Sequence, residues 1–291
     1  MSEERELKLS FMSKKEYVCP VCGKKFNKEE LLTGGGRLIA GALTEELHRL
    51  FEPSSKYGDV YPLAYCIVVC PSCWFASTEA DFPLIPNGRK EAANKDMQKR
   101  KEETLTVFPG IDFTNPRGLM EGAASHYLTL RCYDFFGSES SPTIKRGIAA
   151  LRTAWMLDKL HGKLPKENYD WLGVLFRKKA QYFYSAALHK EQQGEETMSA
   201  LKNFGPDIDK NYGYEGMLYT SAYLRYKYGP QTKTVEEHIL SLDEAKRTIA
   251  KLFGMGGKSK DKPGAFLDLV RKSYNAINEE IEALKAKQEA N

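Results

Sequence analysis

The chain has 291 residues, 42% hydrophobic and 28% charged, a globular composition long enough for one large domain or two ordinary ones. Lys and Arg number 43 against 39 Asp and Glu, so the net charge of +4 is too small to argue for nucleic acid by itself. No apolar run approaches the roughly 20 residues of a membrane helix, and the opening MSEERELKLSFMSKKEY lacks the apolar core of a secretory leader. A cytoplasmic location is therefore expected, where thiols stay reduced and six cysteines suggest metal binding or packing before disulfides.

Residues 17–86 form the first compositional regime. They hold five of the six cysteines, six of the thirteen prolines and the triple glycine Gly34 to Gly36. Such chain is loop-rich, with short strands. The stretch YVCPVCGKKF places Cys19 and Cys22 two residues apart, with Gly23 where a left-handed conformation is often needed. TGGGRLIAG lacks the Gly-Lys-Ser/Thr ending of a phosphate loop and reads as a flexible loop. TEELHRLF predicts a helix, started near Thr44 and stopped by Pro53. LAYCIVV predicts a buried strand, and VVCPSCWFA repeats the Cys-Pro-x-Cys pattern at Cys70 and Cys73.

Residues 87–116, dense in charge of both signs, are expected to be a solvated helix or linker. From 117 to 288 the apolar spacing is helical. Leu119, Ala123, His126, Tyr127 and Leu130 share one stretch; Ile148, Leu151, Trp155 and Leu160 share another, opened by Ser141-Pro142. A long segment follows from KENYDW. GYEGMLYTSAYLRYKYG stops at Gly229-Pro230, and SLDEAKRTIAKLFG offers Ser241 and Glu244 as a capping box. GAFLDLVRKSYNAINEEIEALKAKQ closes the chain. Helix–turn–helix order of this kind suggests a tetratricopeptide-like array, although no clean period of about 34 residues is visible.

A two-residue gap lets both sulfurs of a tight turn face one centre, and two such turns supply four thiolates. Cys19, Cys22, Cys70 and Cys73 are therefore the expected metal ligands, for a closed tetrahedral and structural Zn²⁺ site. The 47-residue interval between the pairs must hold an inserted helix and loop. Paired redox motifs and an iron–sulfur cluster are the alternatives on spacing alone; neither pair sits in a strand-to-helix unit of the thioredoxin kind. Cys66, four residues before Cys70, would point to the same strand face but ~13 Å away at ~3.3 Å per residue. It reads as a buried small residue, and Cys132 as helix core. His48 is the one histidine worth testing as a spare ligand; His126, His161, His189 and His238 read as packing or surface.

The first CPVCG with Phe26 soon after, then YPLAYCIVVCPSCWFAS and a later Asp-Phe, then paired helices, resembles the bacterial domain-of-unknown-function 2225 family. In that family a Pro and a Tyr precede the second Cys-Pro-x-Cys, followed by a small residue and an acidic-aromatic pair. Pro62, Tyr65, Cys70, Pro71, Cys73, Ala76, Asp81 and Phe82 occupy those places here, while Trp74 stands where glycine is expected. The resemblance implies that Cys19, Cys22, Cys70 and Cys73 act together with Cys66 outside, and that the C-terminal half is tetratricopeptide-like. It implies no activity.

The expected fold is mainly α: a small four-cysteine, zinc-ribbon-like α+β N-terminal module, then a tetratricopeptide-like antiparallel helical array. No catalytic constellation is visible; Asp81, Asp112 and Asp134 are carboxylates that nothing pairs. The expected function is a non-enzymatic interaction or scaffold protein with a structural zinc site and a helical protein-binding surface. Tyr182, Phe183, Tyr184, Tyr212, Tyr214, Tyr219, Tyr223, Tyr226 and Tyr228, with Lys178, Lys179, Arg225 and Lys227 among them, are too many to face one core, so some are expected at that surface. The alternative is a zinc-dependent nucleic-acid-binding protein using Arg37, Arg89, Lys90, Lys99, Arg100 and Lys101 on phosphates, an option weakened by interleaved acids.

Overall fold

Three antiparallel hairpins build the front of the molecule, each too small to stand alone. The computed structural model describes residues 8–198, 201, 205–229, 234–254 and 264–289. Strand β1 (Ser10–Val18) pairs with β2 (Lys25–Leu31), and Tyr17 lies opposite Phe26 in their register. Strand β3 (Ile39–Leu43) pairs with β4 (Arg49–Glu52), and β5 (Ile67–Val69) with β6 (Ala76–Thr78). The buried strand expected over LAYCIVV forms only at its last three residues, β5, all buried; Leu63, Ala64 and Tyr65 lie in a 3₁₀ turn capped by Cys66.

Two helices follow, α1 (Asn87–Lys95) and α2 (Met97–Val107). Next come α3 (Leu119–Cys132), α4 (Pro142–Lys163), α5 (Tyr169–Gln192), α6 (Gly213–Tyr228), α7 (Val235–Gly254) and α8 (Gly264–Glu289). From α3 onward each helix packs on the one before it, which is the antiparallel helical array expected. Several of its helices run 20–26 residues, so the order is tetratricopeptide-like without a short regular period. Pro142 opens α4 at its first turn, where a missing N–H costs nothing. Among the described residues no helix is long and apolar enough to cross a membrane. The leader expectation falls partly on residues 1–7 and the stop at Gly229-Pro230 partly on Pro230, outside the described residues; Gly229 does end α6.

The helix expected over TEELHRLF is not formed. Thr44 to His48 is the turn of the β3–β4 hairpin. The Thr44 N–H donates to His48 O at 2.9 Å, the His48 N–H donates to Thr44 Oγ1 at 3.1 Å, and Leu47 takes φ 60°. Contacts distant in sequence decide this. Glu46 accepts from Trp155 Nε1 at 2.6 Å and from Arg177 Nε at 2.7 Å, while Leu47 is fully buried with a methyl near Gly216 of α6. His48 stacks on Trp155 with ring centres 4.2 Å apart. The long insert between the cysteine pairs therefore docks the front module onto α4, α5 and α6. A local helix would carry these three side chains away from their partners.

The Ser241–Glu244 capping box is also overturned, because α7 already runs from Val235. Thr234 caps it instead: its Oγ1 accepts from the Glu237 N–H at 3.1 Å. Thr234-x-x-Glu237 is an equally good capping signal about two turns earlier.

One continuous hydrophobic core runs from Tyr17 to Ile281 and includes Cys19, Cys70 and Cys73. Gly122 lets α3 approach that core closely; a Cβ there would lie 2.5 Å from the Met156 methyl and 2.9 Å from the Ala64 Cα. The charged 87–116 stretch is helical over α1 and α2; Ala93, Thr104, Phe108 and Ile111 turn into the core, and among the charged residues the solvated reading fails at one. Arg100 is completely buried; one Nη donates to Cys73 O at 2.7 Å, the other to Ala93 O at 3.1 Å and to Asp96 at 3.0 Å. It is not available to a phosphate. Arg37, from the same set of basic residues, stacks on Tyr57 and donates to the carbonyls of Lys8 and Gly34.

Candidate metal centre

Each Cys-Pro-x-Cys is the tip of a hairpin. Cys19 to Lys24 join β1 to β2, closed by Cys19 N–H to Lys24 O at 2.9 Å and Gly23 N–H to Cys19 O at 2.9 Å. Cys70 to Phe75 join β5 to β6, closed by Cys70 N–H to Phe75 O at 2.9 Å and Trp74 N–H to Cys70 O at 2.8 Å. The two turns are the same motif twice, and the residue after each second cysteine is left-handed: Gly23 at φ 74° and Trp74 at φ 56°. That conformation costs a side chain about 1–2 kcal/mol. At Trp74 the cost is offset by burial of the indole, which meets the Phe113 ring edge-on at 5.3 Å. A tryptophan is thus accommodated where glycine is expected. At Gly23 an added Cβ meets nothing within 4 Å. Gly23→Ala is therefore expected to cost only the conformational strain, about 1–2 kcal/mol by chemical denaturation. Metal stoichiometry should not change, and its loss would contradict this account of the turn.

The tips face each other. Cys19 Sγ lies 3.5 Å from Cys73 Sγ, and Cys22 Sγ 3.6 Å from Cys70 Sγ. All four sulfurs fall within 4.8 Å of one another. A tetrahedral ion with M–S bonds of ~2.3 Å would separate them by ~3.8 Å, so the set fits a single four-coordinate ion. Cys70 and Cys73 are fully buried and Cys19 nearly so, while Cys22 is half-buried. Cys70 accepts from Cys19 and Cys73 and from the Cys73 and Ser72 amides, which lowers its thiol to about 2. The bond to Cys70 pushes Cys19 up to about 12, and contact with Cys19 and Cys70 pushes Cys73 up as well. One negative charge is thus stabilised and further ones repel it. A divalent cation removes that repulsion and lets all four sulfurs ionise.

The remaining sequence candidates lie elsewhere. Cys66 follows a 3₁₀ turn over Pro62–Tyr65 and donates to Leu63 O at 3.2 Å, and Cys132 accepts from the Ala76 N–H at 3.3 Å. His48 Nδ1 sits 2.6 Å from Asp207 Oδ2, so it joins the front module to the helical array and is not a fifth ligand of the sulfur site. Asp81 accepts from Tyr133 OH at 2.6 Å and pairs with Lys145 Nζ at 2.6 Å, Asp112 folds onto Thr114, and Asp134 pairs with Arg146. Tyr184 and Tyr219 are buried, whereas Tyr182 is exposed. The spacing of the cysteines pointed to the four clustered sulfurs; it carried no sign of Arg100, whose guanidinium donates to the Cys73 carbonyl.

The family model described as "Uncharacterized protein conserved in bacteria (DUF2225)" matches residues 12–277. An "Uncharacterized protein" of Borreliella burgdorferi is 40% identical over 278 residues, covering 96% of this chain and 99% of that protein. No solved structure matches the chain.

Proposed function

This chain belongs to the bacterial domain-of-unknown-function 2225 family, and within it we propose a non-enzymatic interaction protein built around a structural zinc ion. Cys19, Cys22, Cys70 and Cys73 would hold the ion, and the helical array would bind a partner protein. The observation that carries the reading is the closed set of four converging sulfurs. Thiolate sets of this kind suit Zn²⁺, and four protein donors leave no open position for a reacting water. The ion supplies shape: it ties the tips of two hairpins that share no strand.

Support for a protein surface comes from α5. Trp171, Val174 and Tyr182 are exposed on that helix, at 61%, 43% and 64%, with Lys178 and Lys179 in the same stretch. Large rigid aromatic rings such as Trp and Tyr are favoured at interfaces. Engagement of Asp81, Asp112 and Asp134 within the fold favours a binding role over acid–base chemistry. The test has two readouts. Elemental analysis of the purified chain is expected to give one zinc per molecule; stoichiometric iron, or no metal, would reject the ion. Affinity purification from the native organism is expected to recover a protein partner that Trp171→Asp loses. An unchanged set of partners would remove α5 from the proposal.

A further inference from the structure

A cavity of about 600 Å³ lies between the β5–β6 hairpin and helices α3 and α4, and none of the four clustered cysteines lines it. Its walls are largely apolar, from Ile67, Leu84, Ile148, Ala149, Leu201 and Ile208. Leu84 and Ile208 are exposed, at 58% and 40%, and mark its mouth. Its volume falls within the roughly 300–1,000 Å³ typical of small-molecule sites.

Two cations face this space and differ in one respect. Lys145 is matched by Asp81 at 2.6 Å, and Tyr133 donates to the same carboxylate oxygen. Arg152 is only 8% exposed; its Nε donates to Pro206 O at 2.6 Å and one Nη lies 3.8 Å from Cys66 Sγ. Among the described residues no carboxylate pairs with it. Of the other polar groups, Asp207 carries a negative charge that is felt at Cys66 and His126, yet among the described residues it makes no ion pair with Arg152. Burial pushes the Cys66 thiol up, so it stays neutral. Burial, and after it the charge of Arg152, lowers His126 to about 3, so the ring is uncharged; its Nδ1 is buried without a partner. Arg117, behind the cavity wall, offers no counter-charge: its guanidinium donates to the carbonyls of Ala64 and Ile67, lies over the Phe113 ring and has Glu29 as its own electrostatic partner. Asp207 is turned to His48 and to the amides of Arg49 and Ile208. A buried guanidinium without a counter-charge is strongly unfavourable, and a carboxylate is its best geometric match.

We infer that this cavity binds an amphipathic carboxylate, its head on Arg152 and its hydrocarbon body between Ile67, Leu84 and Ile148. The site is independent of the metal centre. Titration calorimetry of the full chain with octanoate is expected to show saturable one-to-one binding. Octanol, with the same body and no charge, should bind at least tenfold more weakly. Arg152→Met should bind octanoate no better than octanol. Ile148→Trp fills the apolar part and keeps Arg152, so it should weaken octanoate at least tenfold even if Arg152→Met does not fold. Metal content, measured on every sample, should stay unchanged, which separates this site from the sulfur cluster. The proposal is overturned by absent saturable octanoate binding, by equal affinity for octanol, by undiminished affinity in either variant, or by tighter binding of octyl phosphate.

Discussion

Cys70→Ser is expected to abolish stoichiometric metal binding and to unfold the front of the molecule. Cys70 is fully buried, lies 3.6 Å from Cys22 Sγ, and its own amide closes the second hairpin tip. A structural Zn²⁺ contributes about 10–16 kcal/mol of apparent binding free energy in small peptides, against a net stability of about 5–15 kcal/mol for a whole domain. The β5–β6 ladder is only three residues long on each side, so backbone pairing cannot replace the ion. The expected readout is loss of zinc by elemental analysis, with loss of amide dispersion from residues 17–86 by NMR. The hairpin β3–β4 should loosen with them, and its release would free Trp155 from Glu46. A variant that keeps one zinc and the parent melting curve would defeat the metal-centred account.

Arg100→Met should lower stability by about 3–5 kcal/mol, the usual cost of removing one partner of a buried charged network. Methionine keeps most of the apolar stem. It leaves the carbonyls of Cys73 and Ala93 buried without their donors, and Asp96 with Arg131 alone at 3.6 Å. The Cys73 carbonyl belongs to the ligand-bearing turn, so the effect should reach the ion. Loss of an outer support of this kind weakens metal affinity by about 10–100-fold. Urea denaturation checks the first effect, and competition with a chelator the second. Stability within about 0.5 kcal/mol of the parent, the range of ordinary surface substitutions, would show that the buried guanidinium does not brace the turn. Arg100→Lys should recover part of both losses, since one ammonium reaches fewer of the three acceptors.

These two residues mark the division between what local pattern reveals and what it hides. Cys19, Cys22, Cys70 and Cys73 were legible because a two-residue gap by itself sets a turn whose sulfurs face one point. Helices α3 to α6 and α8 were legible because apolar spacing and stop signals act within a few residues. Arg100 sat in a run of alternating charge, where local pattern says solvent. Its acceptors Asp96 and Ala93 are local, but only the packing of α2 against the second hairpin tip adds the Cys73 carbonyl and takes the charge out of water. Thr44 to His48 misled for the same reason: the local propensity was helical, but Trp155 and Arg177, more than a hundred residues on, hold Glu46 in a hairpin turn.

The sequence by itself thus determined the candidate ligand set, the helical character of the rear half and the family. Each depends on spacing along the chain or on residues shared with relatives. Tertiary structure alone decided that the insert between the cysteine pairs is a docking arm, that Arg100 braces a cysteine-bearing turn, and that Arg152 lines a cavity with no carboxylate paired to it among the described residues. The physical reason is burial. A charge left in water costs little wherever it stands, whereas the same charge inside the fold must find partners, and those partners come from segments that only folding brings together.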